Sequence, residues 1–158
     1  MVRALIIILL VAAFLAAAIL LPQISHNRQL TKFEASYADV THPQSSQRMI
    51  EFSEVGLLGG ANGNHCDFLV GEIREYNASE DLIRAHYASQ QIKSPLEPSY
   101  SLAATVVFLS EEYRDDPILQ YEIAPLVGKA RSDRSLTTLY VIYFLDAGHD
   151  PNFDIRCH

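Results

Sequence analysis

The most pronounced hydrophobic feature of the chain is an unbroken apolar run over residues 4–21, ALIIILLVAAFLAAAILL. A helix of this length is about 27 Å long, close to the roughly 30 Å of a bilayer core. A helix also satisfies all the backbone hydrogen bonds of a single segment in lipid. The pattern predicts a transmembrane helix over residues 4–21, after a short segment 1–3. Pro22 is expected to end it, because proline disfavours helix in the preceding residue.

The length of the run and the position of its small residues favour an anchor over a cleaved signal peptide. A signal peptide has an apolar region of about 7–15 residues, followed by a small-x-small cleavage site. Here the alanines at 16–18 lie inside the run. We therefore expect an uncleaved signal anchor, with cleavage or a buried soluble helix as alternatives. Arg3 before the run and Arg28 and Lys32 after it nearly balance, and we expect the N-terminus in the cytoplasm and the rest outside.

The hydrophobic pattern weakens over residues 22–47, and we expect a polar tether there. Pro22, the pair His42–Pro43 and the polar stretch 44–47 interrupt regular structure, and the apolar residues between them show no sustained period. The folded domain is accordingly expected to span residues 48–158.

Residues 48–158 carry the alternation and turns of a folded domain. A glycine-rich cluster at 59–64 lies between two alternating segments, which predicts a β-hairpin. The predicted elements in chain order are strands 48–58 and 65–76, a helix over 78–92, and strands 100–109, 118–126 and 136–146.

The order β-β-α-β-β-β predicts an α+β domain of two layers with a mostly antiparallel sheet, because the connections are short. Strands 100–109 and 136–146 are apolar on both faces and are expected to be central. One helix covers one face of such a sheet. The other face needs the tail of the chain, a second helix or a partner protein.

Composition and charge narrow the classes of partner. The 158 residues are 49% hydrophobic and 20% charged, which is typical of a globular protein. Residues 33–158 hold nine basic and 19 acidic residues, a formal charge of −10. An acidic domain repels phosphate backbones and anionic headgroups, so we expect no nucleic-acid partner. The lipid bilayer is the expected partner of residues 4–21, and a membrane or envelope protein is a further candidate.

The two cysteines, Cys66 and Cys157, are expected to form a disulfide, because an even count in an exported chain favours one. The bridge would tie the tail to the second strand. The chain-entropy model assigns a loop of this size a stabilisation of about 4–5 kcal/mol.

Two other chemistries use the same cysteines. His65 and His158 adjoin Cys66 and Cys157, which provides the donor types of a Cys₂His₂ zinc site, although adjacent ligands on a strand point in opposite directions. A catalytic thiol at Cys66 would need an imidazole base from His65, His86 or His149. The sequence supports neither strongly, and we predict no catalytic residue.

The tail also resembles the opening of a calcium loop. Asp150, Asn152 and Asp154 place oxygen donors at alternate positions. Ile155 stands where such a loop has glycine, and His158 is the remaining candidate ligand. We therefore predict no metal and no cofactor.

The favoured hypothesis is a single-pass membrane protein whose extracytoplasmic domain is a binding or assembly module rather than an enzyme. The alternative is a membrane-tethered, thiol-dependent hydrolase that uses Cys66 with a nearby histidine. A third hypothesis is a small-ligand domain with its pocket between helix 78–92 and the sheet.

Overall fold

The first element is one long helix, which continues beyond the apolar run. The computed structural model describes residues 2–60, 63–110, 115–130 and 138–158. Helix α1 is Val2–Ala38, and it contains Pro22. The helix is long and apolar enough to cross a membrane, and none of its most apolar window is buried.

The expectation that the helix ends at Pro22 and that an irregular tether follows is wrong for residues 22–38. Proline removes one backbone donor, but helices with lipid or protein around them tolerate that loss. Beyond Pro22, the side chains of Leu30, Phe33 and Tyr37 lie on one stripe of α1 and pack into the core of the domain. The second part of α1 therefore belongs to the folded domain.

The prediction of a mixed α+β domain is confirmed. A four-stranded antiparallel sheet has the order β1-β2-β6-β5, and a separate pair of short strands, β3 and β4, lies beside it. The strands are β1 Ser46–Gly56, β2 Cys66–Tyr76, β3 Gln91–Lys93, β4 Ser101–Ala103, β5 Thr105–Phe108 and β6 Leu139–His149. Residues 61 and 62 of the predicted hairpin tip, and 136 and 137 of the predicted last strand, lie outside the described residues.

Three assignments differ from the expectation. The helix predicted over 78–92 ends at Tyr87, and Gln91–Lys93 forms β3, in which the buried Ile92 pairs with Leu102. The predicted strand 100–109 is divided at Ala104 into β4 and β5, and β5 lies at the edge of the sheet rather than in its centre. The predicted strand 118–126 is helical: one turn of π-helix, Leu119–Ile123, leads into α3, Ala124–Ala130. Its β-branched and aromatic residues favoured a strand, but packing against the sheet overrides that propensity.

Helices cover both faces of the sheet. On the first face, α1 and α2 (Glu80–Tyr87) pack against β2, β5 and β6. On the second face, the helical segment 118–130 buries Leu119, Ile123 and Val127 against the other side chains of the same strands. The cover that the second face needs is therefore a second helix within the chain, one of the three covers anticipated.

The close packing of the central strands depends on Gly71 in β2. A Cβ atom at this position would lie 2.4 Å from the backbone oxygen of Ile142 and 2.7 Å from the ring of Phe52. We expect Gly71→Ala to destabilise the protein by at least about 2 kcal/mol, because the backbone of β6 cannot move away cheaply. Urea unfolding of the full-length protein in detergent, followed by circular dichroism, measures the change.

Gly128→Ala is the matched control. Gly128 lies in α3, and an added Cβ would have no neighbour within 4 Å. Alanine in a helix is more stable than glycine by up to about 1 kcal/mol, so this variant is expected to be at least as stable as the wild type. Equal stabilities for the two variants would contradict the close approach of β2 and β6.

Candidate functional site

The first polar cluster lies on the first face, the one covered by α1 and α2, and surrounds the cysteines. Cys66, at the start of β2, and Cys157 form a disulfide that spans 91 residues of sequence. Nδ1 of His26 in α1 lies 3.4 Å from Cys66 Sγ and 2.9 Å from Asp154 Oδ2. All four side chains are buried. We call these four residues the disulfide junction.

Arg156 connects the disulfide junction to the surface of α1. Its guanidinium donates to both carboxylate oxygens of Asp154, at 2.6 and 3.0 Å, and to the side-chain oxygen of Asn27 at 2.8 Å. Burial raises the pKa of Asp154, but hydrogen bonds from Arg156 and His26 outweigh that effect and lower the pKa to about 2. The carboxylate therefore stays ionised, and these contacts clamp the tail (residues 150–158) to α1.

The disulfide junction also groups possible metal donors. Its four donor atoms lie within 4.8 Å of one another, and zinc accepts thiolate, imidazole and carboxylate ligands. In the disulfide form, however, the sulfurs of Cys66 and Cys157 are bonded to each other and are not thiolates. The guanidinium of Arg156 also occupies the Asp154 carboxylate. In the disulfide form, the junction holds α1, β2 and the tail together, through the bond between Cys66 and Cys157 and through the contacts of the Asp154 carboxylate.

The same geometry does not assemble a thiol catalyst. Neither Cys66 nor Cys157 is free. His26 directs one nitrogen, Nδ1, toward both Asp154 and Cys66, whereas a general base of the triad type offers separate nitrogens to the acid and to the nucleophile.

The candidate bases named from the sequence are held by groups other than Cys66. The three contacts are His65 Nε2 to Asp67 Oδ2 at 3.2 Å, His86 Nε2 to the carbonyl oxygen of Thr41 at 2.9 Å, and His149 Nε2 to Asp146 Oδ1 at 2.8 Å.

The candidate calcium ligands turn to different partners. Asp150 Oδ1 accepts the backbone N–H of Asn152 at 2.8 Å, and both residues are exposed. Asp154 is buried in the disulfide junction, and His158 is exposed. In this arrangement the Asp154 carboxylate is bound by the guanidinium of Arg156, which fixes the tail to α1.

The second polar cluster lines a pocket of about 330 Å³ between the end of α1 and the first two strands. We call it the polar pocket. Its charged and hydrogen-bonding side chains are those of Tyr37, His42, Arg48, Glu51, Glu72 and Arg74. Ligand sites begin at about this volume. The space beside α2, where the third hypothesis placed a ligand, is a smaller pocket of about 180 Å³.

A buried ion pair forms the floor of the polar pocket. Glu72 and Arg74 occupy alternate positions of β2 on the face covered by α1 and α2, where both are buried and in direct contact. Arg74 also donates to Ser46 Oγ at 3.1 Å, and Arg48 lies 3.7 Å from the Glu72 carboxylate. Burying an ion pair is costly relative to apolar side chains, which marks this part of the face as something other than a plain core.

The rim of the polar pocket contains one satisfied hydroxyl network and one unsatisfied hydroxyl. His42 Nδ1 lies 2.8 Å from the Tyr87 hydroxyl, which in turn lies 3.0 Å from the Tyr140 hydroxyl. Burial lowers the pKa of His42 to about 4, with nearby cations, Arg74 first, adding to the shift, so the imidazole is neutral at pH 7. Among the described residues, the buried Tyr37 hydroxyl has no hydrogen-bond partner.

Sequence reasoning missed the polar pocket. Tyr37 and His42 lie in the segment interpreted as a tether, and Glu72 and Arg74 lie in the predicted strand 65–76, where no local pattern distinguishes them from other charged residues. The available signal was the spacing of His26, Leu30, Phe33 and Tyr37, which is helical.

No family model matches the chain, and no similar curated protein or solved structure was found.

His42 predicts a specific pH dependence of stability. Its pKa is depressed in the folded protein, so the unfolded chain binds a proton first as the pH falls below 6.5, and the contribution of His42 is lost between pH 6.5 and about 4. Relative to the wild type, we expect His42→Gln to remove about 2 kcal/mol of the stability difference between pH 7 and pH 5. Urea unfolding at the two pH values measures it.

The exposed His158→Gln is the control and should leave the difference between the two pH values unchanged. A His42→Gln variant with the pH dependence of the wild type would show that the folded protein does not disfavour the charged imidazole.

Two of the buried tyrosines, Tyr37 and Tyr87, form a matched pair for a second test. Tyr87→Phe removes hydrogen bonds to His42 and Tyr140 and is expected to cost about 1–2 kcal/mol. Tyr37→Phe removes a hydroxyl without a partner and is expected to be neutral or slightly stabilising. Urea unfolding of both variants without added ligand decides this, and an equal loss for Tyr37→Phe would show that its hydroxyl is bonded in the free protein.

Proposed function

We propose that the protein is a single-pass membrane protein whose extracytoplasmic domain is a binding or assembly module held close to the bilayer. The observation that carries the proposal is the continuity of α1. The residues before Pro22 are apolar and exposed, whereas Phe33 and Tyr37 of the same helix are buried in the core. An exposed apolar helix of this size in water would be unfavourable, so lipid is its expected environment.

The disulfide supports a location outside the cytoplasm. The bond between Cys66 and Cys157 persists in oxidising compartments and is rare where thiols are kept reduced. This favours residues 48–158 outside the cytoplasm and, for a single span, an N-terminus inside it. The alanines at 16–18 lie inside the apolar run and within the continuous helix rather than after it, which favours retention of the anchor over cleavage.

The polar pocket is the binding site that we assign to the module. Its neutral His42, its ion-paired carboxylates and guanidiniums, and the unpartnered Tyr37 hydroxyl offer donors and acceptors in about 330 Å³. This suits a small, polar, uncharged or zwitterionic group. The acidic domain makes a nucleic acid an unsuitable partner, whereas a small molecule or a segment of an envelope protein fits the site.

The anchor is tested by placing charge in the middle of the apolar run. We expect the double variant Leu9→Arg/Leu10→Arg to lose membrane association, because each arginine costs about 2.5–3.5 kcal/mol at the centre of a span. The wild type should stay in the membrane fraction after an alkaline wash. Leu82→Arg, which changes an exposed leucine of α2, is the control and should also stay.

Protease treatment and thiol counting test the location of the domain. When intact cells are treated with a protease that cannot cross the membrane, the domain of the wild type should be removed. Mass spectrometry of the membrane-embedded fragment should show that it still contains residues 1–21. Before reduction, thiol counting on unfolded protein should find no free thiol. A domain protected from protease, with two free thiols, would contradict the extracytoplasmic location.

A further inference from the structure

The tail exposes two large apolar side chains that the rest of the described protein does not cover. Phe153 is 82% exposed and Ile155 64% exposed. Phe153 is more exposed than any other large hydrophobic side chain in the described ranges, including those of the apolar run. A single exposed hydrophobic residue needs no explanation. Two of them do when they flank the buried Asp154, which fixes the backbone of the tail.

The backbone holds Phe153 outward in an unusual conformation. The Asp154 N–H donates to the Pro151 carbonyl at 2.7 Å, which closes a turn with Asn152 and Phe153 at its centre. Their φ angles are 46° and 67°. Asparagine tolerates this left-handed region, but a bulky aromatic residue is rarely found there. Such a conformation persists only where the surroundings impose it, and here the buried Asp154 does so.

The tail lies beside α1 just beyond the apolar run. Arg156 donates to the Gln23 carbonyl at 3.4 Å and to the Asn27 side chain at 2.8 Å. At 1.5 Å per residue, these positions are about 3 and 9 Å beyond residue 21 along the helix axis. The polar layer on each side of a bilayer core is roughly 5–8 Å deep. The clamp therefore sets the tail at the level of the headgroups.

We propose that Phe153 and Ile155 insert into the interfacial layer of the leaflet from which α1 emerges, so that the domain docks on the lipid surface as well as being anchored through it. This rests on the proposed function, because α1 must span the membrane. Aromatic side chains are enriched at this depth. The occupant is a zwitterionic phospholipid surface, since residues 33–158 carry a formal charge of −10 and anionic headgroups would repel them.

The absence of tryptophan from the sequence allows a direct test. Phe153→Trp introduces a single tryptophan, which can be excited selectively in the presence of the eight tyrosines. The full-length variant is reconstituted into phosphatidylcholine vesicles carrying bromine atoms either near the headgroups or deep in the acyl chains. Bromine quenches tryptophan on contact. We expect the residue at 153 to lose most of its emission to the shallow bromines and little to the deep ones. Ile155→Trp is a second variant with the same expectation.

Two control variants separate this inference from the proposed anchor. Phe14→Trp lies in the middle of the apolar run, 73% exposed, and should be quenched by the deep bromines. Leu82→Trp replaces a side chain that is 65% exposed. It lies in α2, which begins with Glu80 bonded to Tyr76. Tyr76 and Cys66 are the two ends of β2, about 33 Å apart, so Leu82→Trp should be unquenched.

The outcomes are distinct. Quenching at 153 and 155 by shallow bromines, with none at 82, supports the docking. Quenching at 14 without quenching at 153 and 155 overturns the docking and leaves the anchor in place. Quenching at 82 as strong as that at 153 and 155 would show that the domain has no preferred contact with the lipid through its tail, which overturns the docking. No quenching at 14 overturns the membrane span itself, and the docking with it.

Discussion

The structure depends on one helix that has to satisfy two different environments. In α1, the residues before Pro22 present apolar side chains on all sides, as lipid requires, whereas the residues after it present a single stripe to the sheet. The change occurs within a few residues and without a break in the helix. The apolar run is therefore joined to the core through the backbone hydrogen bonds of a continuous helix rather than through a flexible linker.

The disulfide junction strengthens this connection where the helix enters the domain. His26 of α1 is buried against the bridge and bonded to Asp154, and Arg156 donates to Asn27, the next residue of α1. Both cross-connections join residues more than 120 positions apart in sequence. Ion pairs on a surface contribute little to stability. In the pair between Arg156 and Asp154, however, the carboxylate is fully buried, and the disulfide beside it holds the same segments together covalently. The tail, the hairpin and the helix thus meet at one end of the sheet.

Local patterns predicted part of the fold and little of the candidate site. The apolar run and the first hairpin were predictable because lipid imposes a length and sheets impose alternation. The helical segment 118–130 was not, since Pro125 and its aromatic and β-branched neighbours favour other local structures and the packing on Leu69 and Val141 decides. The disulfide followed from a count of cysteines. The roles of His26 and Asp154 depend on tertiary contacts that no local pattern encodes.

The polar pocket gains a fixed position from the same constraint. Tyr37 is 16 residues beyond the end of the apolar run, which is about 24 Å along the axis of a continuous helix. With a flexible tether, the pocket would sample a range of distances and orientations. With α1 continuous and clamped at His26, the height of the pocket above the bilayer varies chiefly with the tilt of the helix. For an α1 that spans a bilayer, this height lies well beyond the headgroup layer of roughly 5–8 Å, which suits the proposed binding of a segment of a second membrane protein better than contact with a lipid headgroup.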